Sequence, residues 1–395
     1  MKKCLTIALA GMALISACSN TPDYDAMYLE RFNTVKENGG MMPGYSPMEV
    51  VSGAENYQPL PHANATEQPI SKSALDSAQR YAEANNSTAF IVWHEGKVLR
   101  ESYFNHANRS TPIVSKSLSK PLGAIAIGRA IQLNKIDSTE QSVADFITEW
   151  KGTAKEKIKI KHLLNMTSGL LPQGYSTDPM HPWNTAYLSY EHDKILIHDY
   201  PLASDPGSEY GYSNASAELV AIIIERATGQ RYADFIGQQV LAPIGAAGGE
   251  IWVNREGGLA HSGCCMTLPA ESWLRLAILL LNDGVVKNTR LLPEHYVDVM
   301  KTPSNQNVHY GLGVWLGSPY AERRGFTGTG GPGPKVLHSA PYIDPLLFLF
   351  DGNSNQVVYI SPTYNTVILR VGKTPPKQPE WDNSILPNIL LSEYL

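Results

Sequence analysis

The sequence predicts an α/β fold of the α+β type: an antiparallel sheet flanked by helices, with a mostly helical subdomain inserted into it. Strand-like patterns gather toward the two ends of the chain, at residues 88–104 and 310–371. Helical patterns separated by Pro and Gly turns fill the stretch between them, about residues 135–300. At 395 residues and 43% hydrophobic composition, the chain can bury a large core as one domain or two. A sheet assembled from such distant segments must carry its helical middle as an insertion.

The elements follow in order. Met1-Lys2-Lys3 is a short basic region, and Leu5 to Ile15 is an apolar run too short to span a bilayer, so residues 1–17 read as a removable signal peptide. Residues 18–70 are rich in Pro, Asn, Gly and Ser and read as a tether, although Tyr24, Tyr28, Phe32 and Tyr45 argue that part of it packs. The body runs from 71 to 395. Ser71 to Asn85 suits a helix, and Thr88 to His94 and Lys97 to Phe104 suit two strands around a tight turn at Glu95-Gly96. Leu122 to Leu133 is apolar on nearly every face and belongs in the interior. Further helices are expected over Ala215 to Thr228, stopped by Gly229, and over Leu268 to Leu281, stopped near Gly284. Strands return at Tyr310 to Leu316, Leu346 to Phe350, Gln356 to Ser361 and Thr366 to Val371, before a last helix over Asp382 to Leu395.

Charge and cysteine usage narrow the function classes. The net charge of -5 comes with scattered Lys and Arg, so nucleic acid is not an expected partner. Ile15-Ser-Ala-Cys18 resembles the lipobox of bacterial lipoproteins, which implies lipidation of Cys18 as the first mature residue; an ordinary secretory signal is the competing reading. Ser19 after that cysteine, by the same resemblance, implies an outer-membrane anchor facing the periplasm. With Cys4 removed and Cys18 modified, only Cys264-Cys265 remains, expected as two small buried thiols rather than a strained bond. No His-Glu-x-x-His or Cys-x-x-Cys spacing occurs, so no metal and no other cofactor is expected.

In Val114-Ser-Lys-Ser-Leu-Ser-Lys-Pro-Leu122, Ser117 and Lys120 stand three residues apart and share one helical face. A serine hydroxyl needs an adjacent base, and a lysine can be that base where burial keeps it neutral. Such a pair arises about once by chance in a chain this long, so its surroundings decide its meaning. Ser117 opens the buried helix, where a first-turn amide is available for an oxyanion hole, and Pro121 disfavours helical geometry at Lys120. Pro206-Gly-Ser-Glu-Tyr-Gly-Tyr-Ser-Asn214 then places Tyr212 and Asn214 on one side of an extended turn.

With these two motifs the chain resembles the serine beta-lactamase and penicillin-binding-protein superfamily, in particular its class C beta-lactamase-like branch of esterases and amide hydrolases. Further phrases in the family's order are His162-Leu-Leu-Asn-Met-Thr-Ser-Gly-Leu170, Leu241-Ala-Pro-Ile-Gly245 and His309-Tyr-Gly-Leu-Gly313. The resemblance covers residues 75 to 372 and implies a beta-lactamase-like fold. It also implies an acylated Ser117, Lys120 as base, Tyr212 as acid/base, and Asn214 orienting substrate or lysine. The third motif departs: the match to Lys-Thr-Gly or His-x-Gly is Phe350-Asp351-Gly352-Asn353, an anion in place of a cation. Lys373-Thr374 follows the later strand and reads as a decoy. Ester or amide substrates are therefore expected over beta-lactams, with an N–H near Asn353 completing the oxyanion hole.

Two other readings compete with a small-molecule ester, amide or peptide hydrolase. One is a penicillin-binding DD-peptidase or beta-lactamase, and the other is a catalytically inactive binding protein using the same cleft. Gly211-Tyr-Ser-Asn-Ala215 misses a nucleophile elbow at its last position. Ser168, His192 and His198 read as structural, and Phe326 to Pro334 reads as a flexible loop, a lid over the site being one role left open for it.

Overall fold

The computed structural model describes residues 23–38, 40, 42–172, 176–327 and 333–395. The expected signal peptide, Cys18 and the centre of the 326–334 loop lie outside the described residues.

The elements that position the site begin with helix α1 (Tyr24–Glu37) and strand β1 (Met48–Val51), then helix α2 (Lys72–Ala84) and strands β2 (Ser87–His94), β3 (Lys97–Tyr103) and β4 (Pro112–Val114). Helices α3 (Ser119–Gln132) and α4 (Asn214–Thr228) follow, then strands β5 (Gly249–Trp252) and β6 (Met266–Pro269) and helix α5 (Ala270–Leu281). The chain closes with β7 (Trp315–Leu316), β8 (Phe348–Gly352), β9 (Gln356–Ser361), β10 (Thr366–Gly372) and helix α6 (Ile385–Leu391).

The main sheet has six antiparallel strands in the order β3-β2-β10-β9-β8-β7, so the hairpin near the start pairs with strands from the end of the chain. The expected antiparallel sheet flanked by helices is therefore present. Alternation along β2 sorts the core: Phe90 and Val92 join α2 and α6 on one face, while Ala89, Ile91 and Trp93 join α3, α4 and α5 on the other. Because both faces are covered, the central strands are buried throughout, and β9 has no exposed residue.

The structure departs from expectation in four places. The stretch 18–70 is not only a tether: α1 buries Phe32 and Val35, and β1 pairs with β5 in a second, four-stranded sheet of order β1-β5-β6-β4. The region 135–300 is not purely an insertion, because it supplies β5 and β6, and α5 packs on β9 and β10 of the main sheet. The strand expected over 310–316 shrinks to Trp315–Leu316; Gly313 is left-handed (φ 75°) and breaks the extended run before it. Cys264 and Cys265 are bonded to each other rather than free, because a left-handed backbone at Cys265 (φ 70°) turns the chain so that the two side chains meet.

Candidate active site

The floor of the site is a turn held between two sheets. β4 pairs with β6, and the Ser115 N–H continues that ladder to the Met266 carbonyl at 2.8 Å. Lys116 then adopts a left-handed backbone (φ 48°), ends the strand, and delivers Ser117 into the turn that leads to α3. Gly352, at the end of β8, presses on this turn so closely that a Cβ there would lie 3.3 Å from the Ser117 nitrogen. Lys120 is helical although Pro121 follows it, since a proline in the first turn removes no helical hydrogen bond. Gly313 fits under it, where a Cβ would come 2.7 Å from the Lys120 carbonyl oxygen.

Lys120 is 4% exposed, and its neighbours are neutral. Nζ lies 3.1 Å from Ser117 Oγ, 2.6 Å from Asn214 Oδ1 and 3.3 Å from the Gly263 carbonyl oxygen. Burial pulls the Lys120 ammonium down to about 7, with the carboxylate of Glu218 pulling the other way. At neutral pH a large fraction of this lysine is an amine within hydrogen-bond reach of a serine hydroxyl.

Asn214 and Tyr212 come from the segment that enters α4. The Met166-Thr167-Ser168 stretch braces it, with Gly207 N–H donating to the Thr167 carbonyl at 2.7 Å, Gly211 N–H to the Met166 carbonyl at 2.8 Å, and Ser168 Oγ 2.8 Å from Ser216 Oγ. Ser168 is thus structural, as expected. The Tyr212 ring lies 4.9 Å from Lys120 Nζ and packs among Tyr310, Trp315 and Phe326. Its hydroxyl oxygen is buried and makes no hydrogen bond of normal geometry, though it is near enough to Ser117 for the two to interact. Burial pushes the phenol well above its ordinary value, and the Ser117 hydroxyl draws it partly back. A lysine pushed toward its neutral form beside a phenol held protonated is a base next to an acid.

Asn353 is exposed at the end of β8 and lines the cleft over Ser117. Asp351 does not face that cleft. It is 3% exposed, paired with the equally buried Arg324, whose guanidinium carbon lies 4.1 Å from the Trp315 ring centroid. The expectation of an anion across the cleft is thereby corrected: β8 alternates, so Gly352 meets the Ser117 turn while Asp351 is spent on Arg324 on the other face, and Asn353 reaches the cleft from the turn that follows the strand. Lys373 and Thr374 lie outside the cleft lining, the latter with Oγ1 2.9 Å from Ser354 Oγ.

The cleft is about 450 Å³. Its walls are largely aromatic and include Tyr45, Trp183, Tyr187 and Phe326, with the bonded Cys264 beside Tyr187. Tyr45 and Met42 come from the N-terminal segment, which therefore reaches the site. Behind the floor the fold gathers His192, Glu218 and His261, all fully buried, with His192 Nε2 and His261 Nδ1 each 3.7 Å from the carboxylate. These are the described residues that could hold a metal ion, and their separation by 26 and 43 positions hid them from any spacing rule. His192 Nδ1 lies 2.7 Å from the Ala186 carbonyl oxygen, and its ring is 4.2 Å from that of His261. The imidazoles are the main counterweight to burial at Glu218, holding its carboxyl down near 2.

A family model for beta-lactamases matches residues 76–382. The 6-aminohexanoate-dimer hydrolase of Paenarthrobacter ureafaciens is 24% identical over 241 residues, which are 57% of this chain and 59% of that protein, so the chain matches less than two thirds of its relative's length. Among solved structures, a Bacillus anthracis protein provisionally described as a 6-aminohexanoate-dimer hydrolase superposes with a TM-score of 0.66 at 20% identity, covering 92% of each chain. A family VIII carboxylesterase superposes with a TM-score of 0.59 at 13% identity, covering 82% of this chain and 98% of its own. At those identities the likeness is one of fold. With the family model spanning the sheet and every residue of the Ser117 floor, the chain belongs to the beta-lactamase family.

Proposed function

We propose that the protein is a serine hydrolase that cleaves a carboxylic ester or amide through an acyl-enzyme on Ser117. The observation that carries this reading is the buried Lys120 amine 3.1 Å from Ser117 Oγ, in direct ion pair with no carboxylate among the described residues. Lys120 accepts the serine proton as Oγ attacks the carbonyl carbon, and the resulting oxyanion is held by the Ser117 N–H and by the backbone at Asn353. Tyr212, kept protonated by burial, donates to the leaving group, and Asn214 fixes the lysine through Oδ1. Water then releases the acyl group by the reverse proton path. The hydrolases and esterase among its relatives act in the same direction as this reading.

The same proposal places the enzyme in the bacterial envelope, lipid-anchored through Cys18 to the outer membrane and facing the periplasm, on the strength of the Ile15-Ser-Ala-Cys18 sequence. A fluorophosphonate probe tests the chemistry. Labelling at Ser117, abolished in Ser117→Ala, is the expected result, and an unlabelled native protein would leave the inactive binding role in its place. Globomycin-sensitive processing and palmitate incorporation, both lost in Cys18→Ser, test the anchor.

A further inference from the structure

Lys116 is a cation that the chain leaves without a counter-charge. Its left-handed backbone turns it out of β4 directly before Ser117, and its side chain lines the cleft. Nζ donates to Tyr45 Oη at 3.1 Å. No carboxylate among the described residues pairs with it, and the residues outside the described ones include no Asp or Glu. Lys116 is also the one formally charged side chain in the described cleft lining, which is otherwise aromatic, apolar, hydroxyl (Ser117 and Thr327) or amide. A lysine ammonium has three donors, so the Tyr45 bond leaves two for a ligand. Such a group inside an aromatic wall favours an anion over a neutral isostere, because a charge-assisted hydrogen bond is about twice as strong as a neutral one.

We infer that Lys116 and Tyr45 form an anion subsite, and that the substrate is an ester or amide carrying a carboxylate. This rests on the hydrolase reading for its chemistry but not for its binding. The subsite is separate from the third-motif strand, where Asp351 stands in place of a cation. A carboxylate seated there bridges Lys116 Nζ and the Tyr45 hydroxyl, which then donates to it while Nζ donates through its remaining hydrogens. The N-terminal segment thereby contributes a specificity residue to a site whose reacting groups all come from the body of the chain.

Two measurements on the full chain test it. In the first, the Ser117→Ala protein is titrated calorimetrically with hexanoate and with hexanamide. Hexanoate is expected to bind about tenfold or more tightly, with the difference removed in Ser117→Ala/Lys116→Met and reduced in 0.5 M salt. Equal affinities, or a preference that survives Lys116→Met, would overturn the subsite. In the second, hydrolysis of mono-p-nitrophenyl succinate is compared with p-nitrophenyl butyrate, and of 4-acetoxybenzoate with 4-acetoxybenzamide. The acid is expected to lead by about tenfold in kcat/KM in at least one pair, and the ratio to fall in Lys116→Met and in Tyr45→Phe. Neutral members preferred in both pairs would overturn it. Hexanoate binding without any ester turnover would sink the hydrolase reading while sparing the subsite, and turnover without preference would do the reverse.

Discussion

Lys120 and Arg324 are both buried cations, each 4% exposed, and they have opposite fates. Arg324 is paired with Asp351 inside the sheet, where the pair is shut away from the cleft. Lys120 meets a serine, an asparagine and a backbone carbonyl, and without a first-contact anion it is pulled down to about 7. The partner decides the role: a carboxylate makes a buried cation structural, and neutral donors and acceptors turn one into a base. Glu218 lies one layer further back, where a Cβ on Gly263 would be 2.9 Å from its Oε1, and it moderates the lysine without forming an ion pair with it.

The largest test of this contrast is on the Lys120 side. Ser117→Ala is expected to lower ester or amide turnover by several powers of ten, since nucleophile and base act as a unit, while circular dichroism and Tm remain those of the parent. Residual turnover near the parent level would remove Ser117, and with it the Ser117–Lys120 pair, from the chemistry. Tyr212→Phe removes the phenol without disturbing the ring packing, and kcat/KM is expected to fall by about 10²- to 10⁴-fold. On the Arg324 side, Asp351→Asn leaves a buried guanidinium unpaired and is expected to cost about 3–5 kcal/mol in urea unfolding. A loss below about 1 kcal/mol would mean that Arg324 finds other partners and that the contrast is overstated. Asn214→Asp makes Lys120 resemble Arg324 by setting a carboxylate against Nζ. The acidic limb of the kcat/KM profile, expected near pH 7 in the parent, should then move about 1–3 pH units upward. The smallest effect is on stability: Lys120 binds its proton less tightly folded than unfolded, so its contribution rises with pH between about 7 and the ordinary lysine value, and is flat below 7. A limb that stays put in Asn214→Asp would assign it to another group.

The parts legible in the sequence are those set by short-range geometry. Ser117 with Lys120, and Tyr212 with Asn214, are close because a helix turn and an extended turn make them so, and the structure gathers the other three around the Lys120 nitrogen. The hairpin at Glu95-Gly96 and the stop at Gly229 (φ 72°) were legible for the same reason. What stayed hidden depends on tertiary register. Nothing local joins Arg324 to Asp351, and Asp351 therefore read as an anion facing substrate. The backbone sign at Lys116 and Cys265, which puts one side chain in the cleft and bonds the other to its neighbour, has no reliable sequence mark outside glycine and asparagine. Tyr45 read as a sign that the tether packs, but its partner was hidden because Trp252 on β5, against which its ring lies, is far along the chain.

Under the proposed anchor at Cys18, the packing of α1 would limit where the cleft can work. The helix is capped at Asp23, whose carboxylate accepts from the Ala26 N–H at 3.1 Å. An acyl-anchored Cys18 would have only five peptide steps before that cap, a span of about 18 Å at full extension. The wall that holds Tyr45 would then ride close to the lipid headgroups instead of swinging free, and the enzyme would sample a thin layer next to the bilayer rather than the whole compartment.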